Sequence, residues 1–423
     1  MKRTAKSLIA KILGWQVRRL TKRHQFQVVG VAGSVGKTST KLAIAKVLSQ
    51  TNRVQYQEGN YNDIVSVPLI FFGQQMPSLL NPFAWAATFW RNEKIIRQDY
   101  SYDVVVVEVG TDAPGQINEF RSYLKLDIGV LTAITPEHME YFAGLDAVAA
   151  EEIIIAGFST LMLVNRDACA PEYLSDIKSS LLSYAINQEA DFRIKNIIFS
   201  ETSCDFEVYQ ADRTFLKAKH ELISEPQLYS VLAAVAVGEQ LGMTAVNIEK
   251  GLHNIKPVSG RMQRLKGIKG STIIDDTYNA SPHATIAALN TLYRIEAPQK
   301  IAVLGNMNEL GDYSESEHQK IGEHCDPNEL DLVVTIGPDA NKFLAPAAEE
   351  KGCQVKMFDD PYSAGKYIKS TIKPKAIVLV KGSQNKVFAE ETTKLLLADP
   401  KDADKLVRQT PYWMKRKHKS FSQ

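Results

Sequence analysis

The run VVGVAGSVGKTST, beginning at Val28, constrains this chain more than any other feature. A short apolar stretch meets a glycine-rich turn, and KTSTKLAIAKVLSQ continues as a helix. Such a turn lets backbone N–H groups wrap a phosphate, and the helix N-terminus adds its dipole. The pattern is G-x-x-G-S-x-G-K-T, with Val31 where the strict phosphate-loop form has glycine. Gly33, Ser34, Val35, Gly36 and Ser39 are the expected loop contacts. Lys37 is expected to reach the β- and γ-phosphates, and the Thr38 hydroxyl to hold Mg²⁺. ATP and Mg²⁺ are the cofactors this implies.

The strand–turn–helix unit repeats in outline. YDVVVVEVG, DIGVLTAI and TLMLVN read as buried strands with helical patterns between them, which predicts an α/β fold with a mostly parallel sheet. FRIKNIIFS, CDFEVYQ and TFLKAKH read as short antiparallel strands, followed by the helix PQLYSVLAAVAVGEQLG. KPVSGRMQRL, at 256–265, reads as a hinge, because Pro257 and Gly260 interrupt both periodicities. STIIDD, KIAVLG, LDLVVTIG, CQVKMF and AIVLVKG then form a second, Rossmann-like α/β series. The 423 residues exceed one ordinary core. The expected division is a basic amphipathic helix over 1–25, an ATP-binding domain over 26–256, a second domain over 257–400 and a basic tail over 401–423.

A net charge of +2 gives no global argument for nucleic acid. The charge is uneven, since no acidic residue precedes Glu58 and eight Lys/Arg lie between Lys2 and Arg23. In SLIAKILGWQVRRL the apolar residues fall at helical spacing between basic ones. That pattern suits either a helix docked on its own domain, the reading favoured here, or one lying on anionic lipid. MPSLLNPFAWAATFWRNEKII, at 76–96, carries two Trp and two Phe and reads as a hydrophobic hairpin packed on the domain or a surface for an apolar partner. The four cysteines are too far apart for a CxxC pair, which fits a reducing cytoplasm. No apolar run reaches the roughly 20 residues of a membrane-spanning helix.

Glu108 ends the apolar strand VVVVEVG, at the edge where parallel sheets bind ligands, and is the expected second Mg²⁺ ligand beside Thr38. His138, in TPEHMEYF, follows the next strand and reads as a further metal ligand.

The ordered set GSVGKTST, EGNYNDIVSVP, VEVGTDAPGQI, ITPEHMEYF, SGRMQRL, IIDDTYNASP, VLGNMNELGDYSESEH and LVKGSQNKVFAEE resembles the Mur ligases from about residue 26 to 395. These are ATP-dependent amide-bond synthetases of peptidoglycan assembly, and GNYNDIVSVP, DDTYNASP and GNMNELG are most similar to the branch that adds D-Ala-D-Ala to a muramyl peptide. The resemblance implies that ATP converts a substrate carboxylate to an acyl phosphate and that an amine then displaces phosphate. Lys37, Glu108 and His138 match the catalytic positions, and Thr38, Glu108 and His138 the metal ligands. Gln227, Arg261, Asp276 and Asn279 correspond to nucleotide contacts. Asn60 and Asn62 match the loop that meets the acyl substrate, and Lys381 and Ser383 the loop near the amine. The implied partners are a small muramyl-peptide precursor and an amine, with a monomer expected. Closure across the Pro257–Gly260 hinge would exclude water from the acyl phosphate.

Four departures qualify the resemblance. Glu152 stands where the family carries a carbamylated lysine, and a native carboxylate there is expected to help hold the second Mg²⁺. Pro226-Gln227 replaces the usual His-Asn before the adenine-contacting helix, and Gln384 replaces an arginine. The stretch before Val28 also leaves no room for the family's UDP-gripping domain, so UDP is ungripped, held by another protein, or replaced, for instance in a lipid-linked precursor bound at the inner face of the membrane. A Mur-like ligase of the γ-polyglutamate or folate type, and a silent nucleotide-binding scaffold, are the alternatives.

Overall fold

The computed structural model describes residues 2–59, 61–137, 139–200, 203–222 and 224–421. The chain divides into two compact units. The first holds Met1–Thr135, Tyr141–Glu221 and Pro226–Ile255, and the second holds Pro136–Glu140, Leu222–Glu225 and Lys256–Gln423. The division at 255/256 lies one residue from the expected boundary, but Pro136–Glu140, the segment of the candidate His138, groups with the second unit.

In the first unit the strands are β1 (Gln27–Ala32), β2 (Val54–Gln55), β3 (Val104–Glu108), β4 (Leu126–Leu131) and β5 (Ser159–Asn165). They continue as β6 (Ser180–Ala185), β7 (Phe192–Phe199), β8 (Cys204–Gln210) and β9 (Arg213–His220). Their order is β2-β3-β1-β4-β5-β6-β7-β8-β9, parallel through β7 and antiparallel beyond it. Runs such as VVVV in β3 are buried along their whole length, as a sheet covered on both faces requires. The chain leaves β1 for β2 and β3 on one side, then returns to β4 on the other. The turn after β1 therefore lies at the topological switch point, where such sheets bind ligands.

Four helices begin this unit: α1 (Lys2–Arg23), α2 (Lys37–Leu48), α3 (Ser66–Phe71) and α4 (Pro82–Arg97). The apolar stripe of α1 is packed, not free, because Leu13, Val17 and Leu20 have no exposed surface. Each such side chain contributes about 1.5–3 kcal/mol of burial. The 76–96 segment is a helix over most of its length, not a hairpin. Asn81 caps α4 by accepting from Ala84 N–H, and Pro82 takes the first helical position, both strong helix-start signals. β6 was not expected, since its SLLSYA pattern is only half buried.

The second unit contains β10 (Gln263–Lys266), β11 (Thr272–Asp276), β12 (Lys300–Gly305), β13 (Leu332–Ile336), β14 (Val355–Phe358) and β15 (Ile377–Lys381). Their order is β10-β11-β15-β12-β13-β14, parallel except for β10. The end of the expected hinge is thus an edge strand. The basic tail is not a solvated extension. Pro411–Phe421 is a helix whose Lys417, wholly buried, pairs with Glu390 at 2.9 Å and Glu391 at 2.6 Å. Phe421 meets Phe388 and Tyr362 edge-on.

Candidate active site

The phosphate loop is shaped by contacts beneath it. Gly33 has φ of 124°, and a Cβ there would lie 2.3 Å from Thr132 Oγ1, so only glycine fits. Ser34 N–H donates to Ala133 O, Thr132 Oγ1 donates to Val35 O, and Thr135 N–H donates to Ser34 Oγ. These bonds tie the loop to the end of β4. Gly36, at φ 85°, then opens α2. Lys37 Nζ curls back to donate to the carbonyls of Gly33 and Ser34, which places the ammonium over the loop. Val35 and Ser39 follow the same turn into α2.

Beside the loop, Thr38 Oγ1 donates to Glu108 Oε1 at 3.3 Å. This brings the hydroxyl and carboxylate together at the carboxyl edge of the sheet, as their positions after β1 and at the end of β3 imply. The sequence reading missed Lys41. Its ammonium lies 3.2 Å from Glu108 Oε2 and donates to Gly59 O at 3.0 Å. Lys41 is 0% and Glu108 2% exposed. Lys41 is one helical turn beyond Thr38 and shares its face, which places it near Thr38 without naming its partner.

Asn62 lies at the same edge: its carbonyl accepts from Gly110 N–H, and its side chain crowds Gly110, two residues past Glu108. Asn60 and His138 lie outside the described residues. Among the described residues, no group of three or more His, Cys, Asp or Glu side chains could hold a metal ion. Glu152 is 2% exposed and accepts from Gly33 N–H through Oε2 at 2.7 Å. One of its oxygens therefore buttresses the phosphate loop, a role the sequence reading did not foresee. Gln227 belongs to this unit, in the first turn of the helix Glu225–Gln240. Ser230 of that helix meets Thr40 of α2 at 3.0 Å.

The second unit gathers the other expected residues around the ends of β11 and β15. Asp276 and Lys381 are register partners there, and Lys381 Nζ lies 2.5 Å from Asp276 Oδ2. Lys381 also donates to Asn279 O at 3.1 Å. Met262 N–H donates to Asp276 Oδ1, and Tyr278 N–H donates to Gly260 O. The Arg261 guanidinium stacks 4.1 Å from the Tyr278 ring centroid, a cation–π geometry. Ser383 is buried; its hydroxyl donates to Ala280 O and accepts from Asn308 N–H. Lys381 and Ser383 thus hold the 276–280 loop in place. Arg408, from the tail, donates to the carbonyls of Thr277 and Tyr278 and pairs with buried Glu390. Neither partner was marked in the sequence, because each lies far along the chain from the loop. Burial pushes the Asp275 carboxyl up to about 7, with Thr277 and Thr393 donating to it.

Residues 31–238 match the Mur ligase middle domain, and residues 260–384 match the Mur ligase glutamate ligase domain. The UDP-N-acetylmuramoyl-tripeptide–D-alanyl-D-alanine ligase of Bacillus subtilis is 26% identical over 384 residues, 88% of this chain and 76% of that protein. The crystal structure of MurF from Acinetobacter baumannii shares the fold with a TM-score of 0.74 at 23% identity, over 90% of this chain and 80% of that one. MurF from Thermotoga maritima, in complex with ADP, gives 0.73 at 24% identity, over 94% and 84%.

Proposed function

Because this chain belongs to the Mur ligase family, whose members are ATP-dependent, ADP-forming amide ligases, we propose that it joins the amine of D-alanyl-D-alanine to the terminal carboxylate of a muramyl tripeptide. The observation that carries the reaction class is the placement of Lys37, Thr38 and Glu108 around one loop at the carboxyl edge of the first sheet. The relative in Bacillus subtilis, named for this substrate pair, supports the choice of substrates.

A carboxylate resists attack by an amine because oxide is a poor leaving group. The substrate carboxylate oxygen takes the γ-phosphoryl group and ADP departs. The amine nitrogen then attacks the carbonyl carbon, the new C–N bond forms, the C–O bond to phosphate breaks and the ammonium proton leaves to solvent. Lys37 balances charge on the transferred group, and the loop N–H groups orient it. The Thr38 hydroxyl and Glu108 carboxylate form an oxygen donor pair suited to Mg²⁺, which usually keeps phosphate and water as its remaining ligands. That ion, when bound, shields the negative charge of the approaching anions. Lys41 holds the Glu108 carboxylate in place through their buried ion pair. Glu152 steadies Gly33, and Asn62 stands where the acyl substrate would approach. In the second unit Asp276, held by Lys381, together with Arg261 and Asn279, offers polar contacts for the nucleotide. Gln227 is the proposed adenine contact of the first unit.

The test is phosphate release from ATP and Mg²⁺ with the muramyl tripeptide, carried on UDP or on lipid, and D-alanyl-D-alanine. Release requiring both the acyl and amine substrates is expected. Release with a folate acceptor and glutamate, or release indifferent to every acceptor, overturns the proposal.

A further inference from the structure

We propose that the paired outer faces of α1 and α4 form a docking surface for an anionic lipid bilayer. The inference rests on the register of the two helices and stands independently of the ligase reading. Gln16 Nε2 donates to Phe89 O, Asn92 donates to Gln16 Oε1, Arg19 pairs with Glu93 at 2.6 Å, and His24 bonds Ile96 O. These contacts advance along both helices in the same direction, so α1 and α4 lie side by side and parallel. Their sequence separations run from 72 to 76.

The outward residues follow that register. Leu8 and Phe83, Trp15 and Trp90, and Lys22 and Arg97 are each separated by 75 positions. Within each helix the three members are seven residues apart, two turns, so they share a phase. The structure confirms the outward direction: Leu8 is 61%, Trp15 48%, Phe83 85% and Trp90 68% exposed. The inward faces are occupied by Leu13, Val17 and Leu20 of α1 and by Trp85 and Ile96 of α4. The core is therefore already supplied without the outer aromatics, of which Trp15 lies under the Arg19 guanidinium at 4.5 Å.

The polar residues of the same face have one sign. Lys11, Lys22, Arg91, Lys94 and Arg97 are all exposed. α1 contains no acidic residue, and the single acid of α4, Glu93, is held by Arg19. Leu80 extends the apolar end at 72% exposure. An apolar, aromatic ridge continuing into a purely basic one matches the boundary of an anionic membrane. Indole and phenyl rings enter the headgroup region while Lys and Arg meet lipid phosphate. A soluble acidic partner would not call for the aromatics, and an apolar one would not call for the cations.

The full chain is tested by flotation with vesicles of phosphatidylglycerol and phosphatidylcholine, and of phosphatidylcholine alone. Tryptophan quenching by bromine-labelled lipid is read in parallel. Of the four tryptophans, Trp15 and Trp90 are the exposed reporters, while Trp85 is buried. Partitioning at least ten-fold stronger to the anionic vesicles, weakened by salt and accompanied by bromolipid quenching, is expected. Trp15→Ser/Phe83→Ser/Trp90→Ser should lower partitioning ten-fold or more with an unchanged melting curve, and Lys22→Gln/Lys94→Gln/Arg97→Gln should do so while leaving the aromatics in place. Absence of vesicle binding overturns the proposal. Binding by either variant equal to that of the parent overturns it too, as does binding without quenching, which would place the contact elsewhere. A vesicle-free dimer that the aromatic variant dissolves, with no lipid binding, assigns the face to a second copy instead.

Discussion

Replacing Lys41 with methionine would leave Glu108 as a buried carboxylate without its cation. The two groups are 3.2 Å apart at 0% and 2% exposure, so solvent screens them little. Removing one partner of such a pair costs about 3–5 kcal/mol, because the remaining charge stays desolvated. Methionine keeps most of the lysine stem, so the loss is chiefly electrostatic, with Gly59 O also losing a donor. In a unit of this size, where 1 kcal/mol moves the melting temperature by roughly 2–4 °C, the first unit should melt about 6–20 °C lower. Differential scanning calorimetry, with and without Mg²⁺ and ADP, reads this directly. Mg²⁺ beside Glu108 supplies the missing positive charge, so the ligand-induced rise should be larger in Lys41→Met than in the parent. Adding Glu108→Gln should recover much of the loss, because the stranded charge is gone. A single variant melting within about 2 °C of the parent, or a double variant as unstable as the summed singles, refutes the assignment of this pair.

Glu152 can be tested by separating its charge from its hydrogen bond. Glu152→Gln retains an acceptor for Gly33 N–H, so it should keep the KM for ATP within about threefold, whereas Glu152→Ala loses a bond to a charged group and should cost about 10–100-fold. Equal impairment of the two, with a raised Mg²⁺ requirement, would show instead that the charge holds metal. Asp275 makes stability depend on pH. Its folded value of about 7 lies above the ordinary 3.8, so between those values the folded state retains a proton that the unfolded state releases. Stability of the second unit should therefore fall as pH rises from about 4 to 7, by up to about 4 kcal/mol. Asp275→Asn should flatten that slope in urea titrations, and an unchanged slope assigns it to other groups.

Much of the site was legible because it depends on local chain geometry. Gly33, Gly36, Lys37 and Thr38 are close in sequence, and their strand–turn–helix context suffices to aim them at a phosphate. Glu108 was legible because a strand end has a known place in a parallel sheet. Lys41 was not, because its identity as a buried ion-pair partner depends on which strand lies against α2. Glu152 was read as a metal ligand because its position matched one in the family, while the bond to Gly33 spans 119 positions. The tail was read by its charge, yet its most buried charge, Lys417, is held by two glutamates on another helix.

The sequence alone determined the mostly parallel α/β class and the strand–turn–helix that carries Gly33, Gly36 and Lys37, since periodicity and glycine placement act over a few residues. Only the tertiary structure decided that Lys41 serves Glu108, that Glu152 supports Gly33, and that Phe83 and Trp90 of α4 keep the register of Leu8 and Trp15 of α1. These depend on distant segments meeting at one register, and their energy comes from groups desolvated together. Composition and spacing do not encode that pairing.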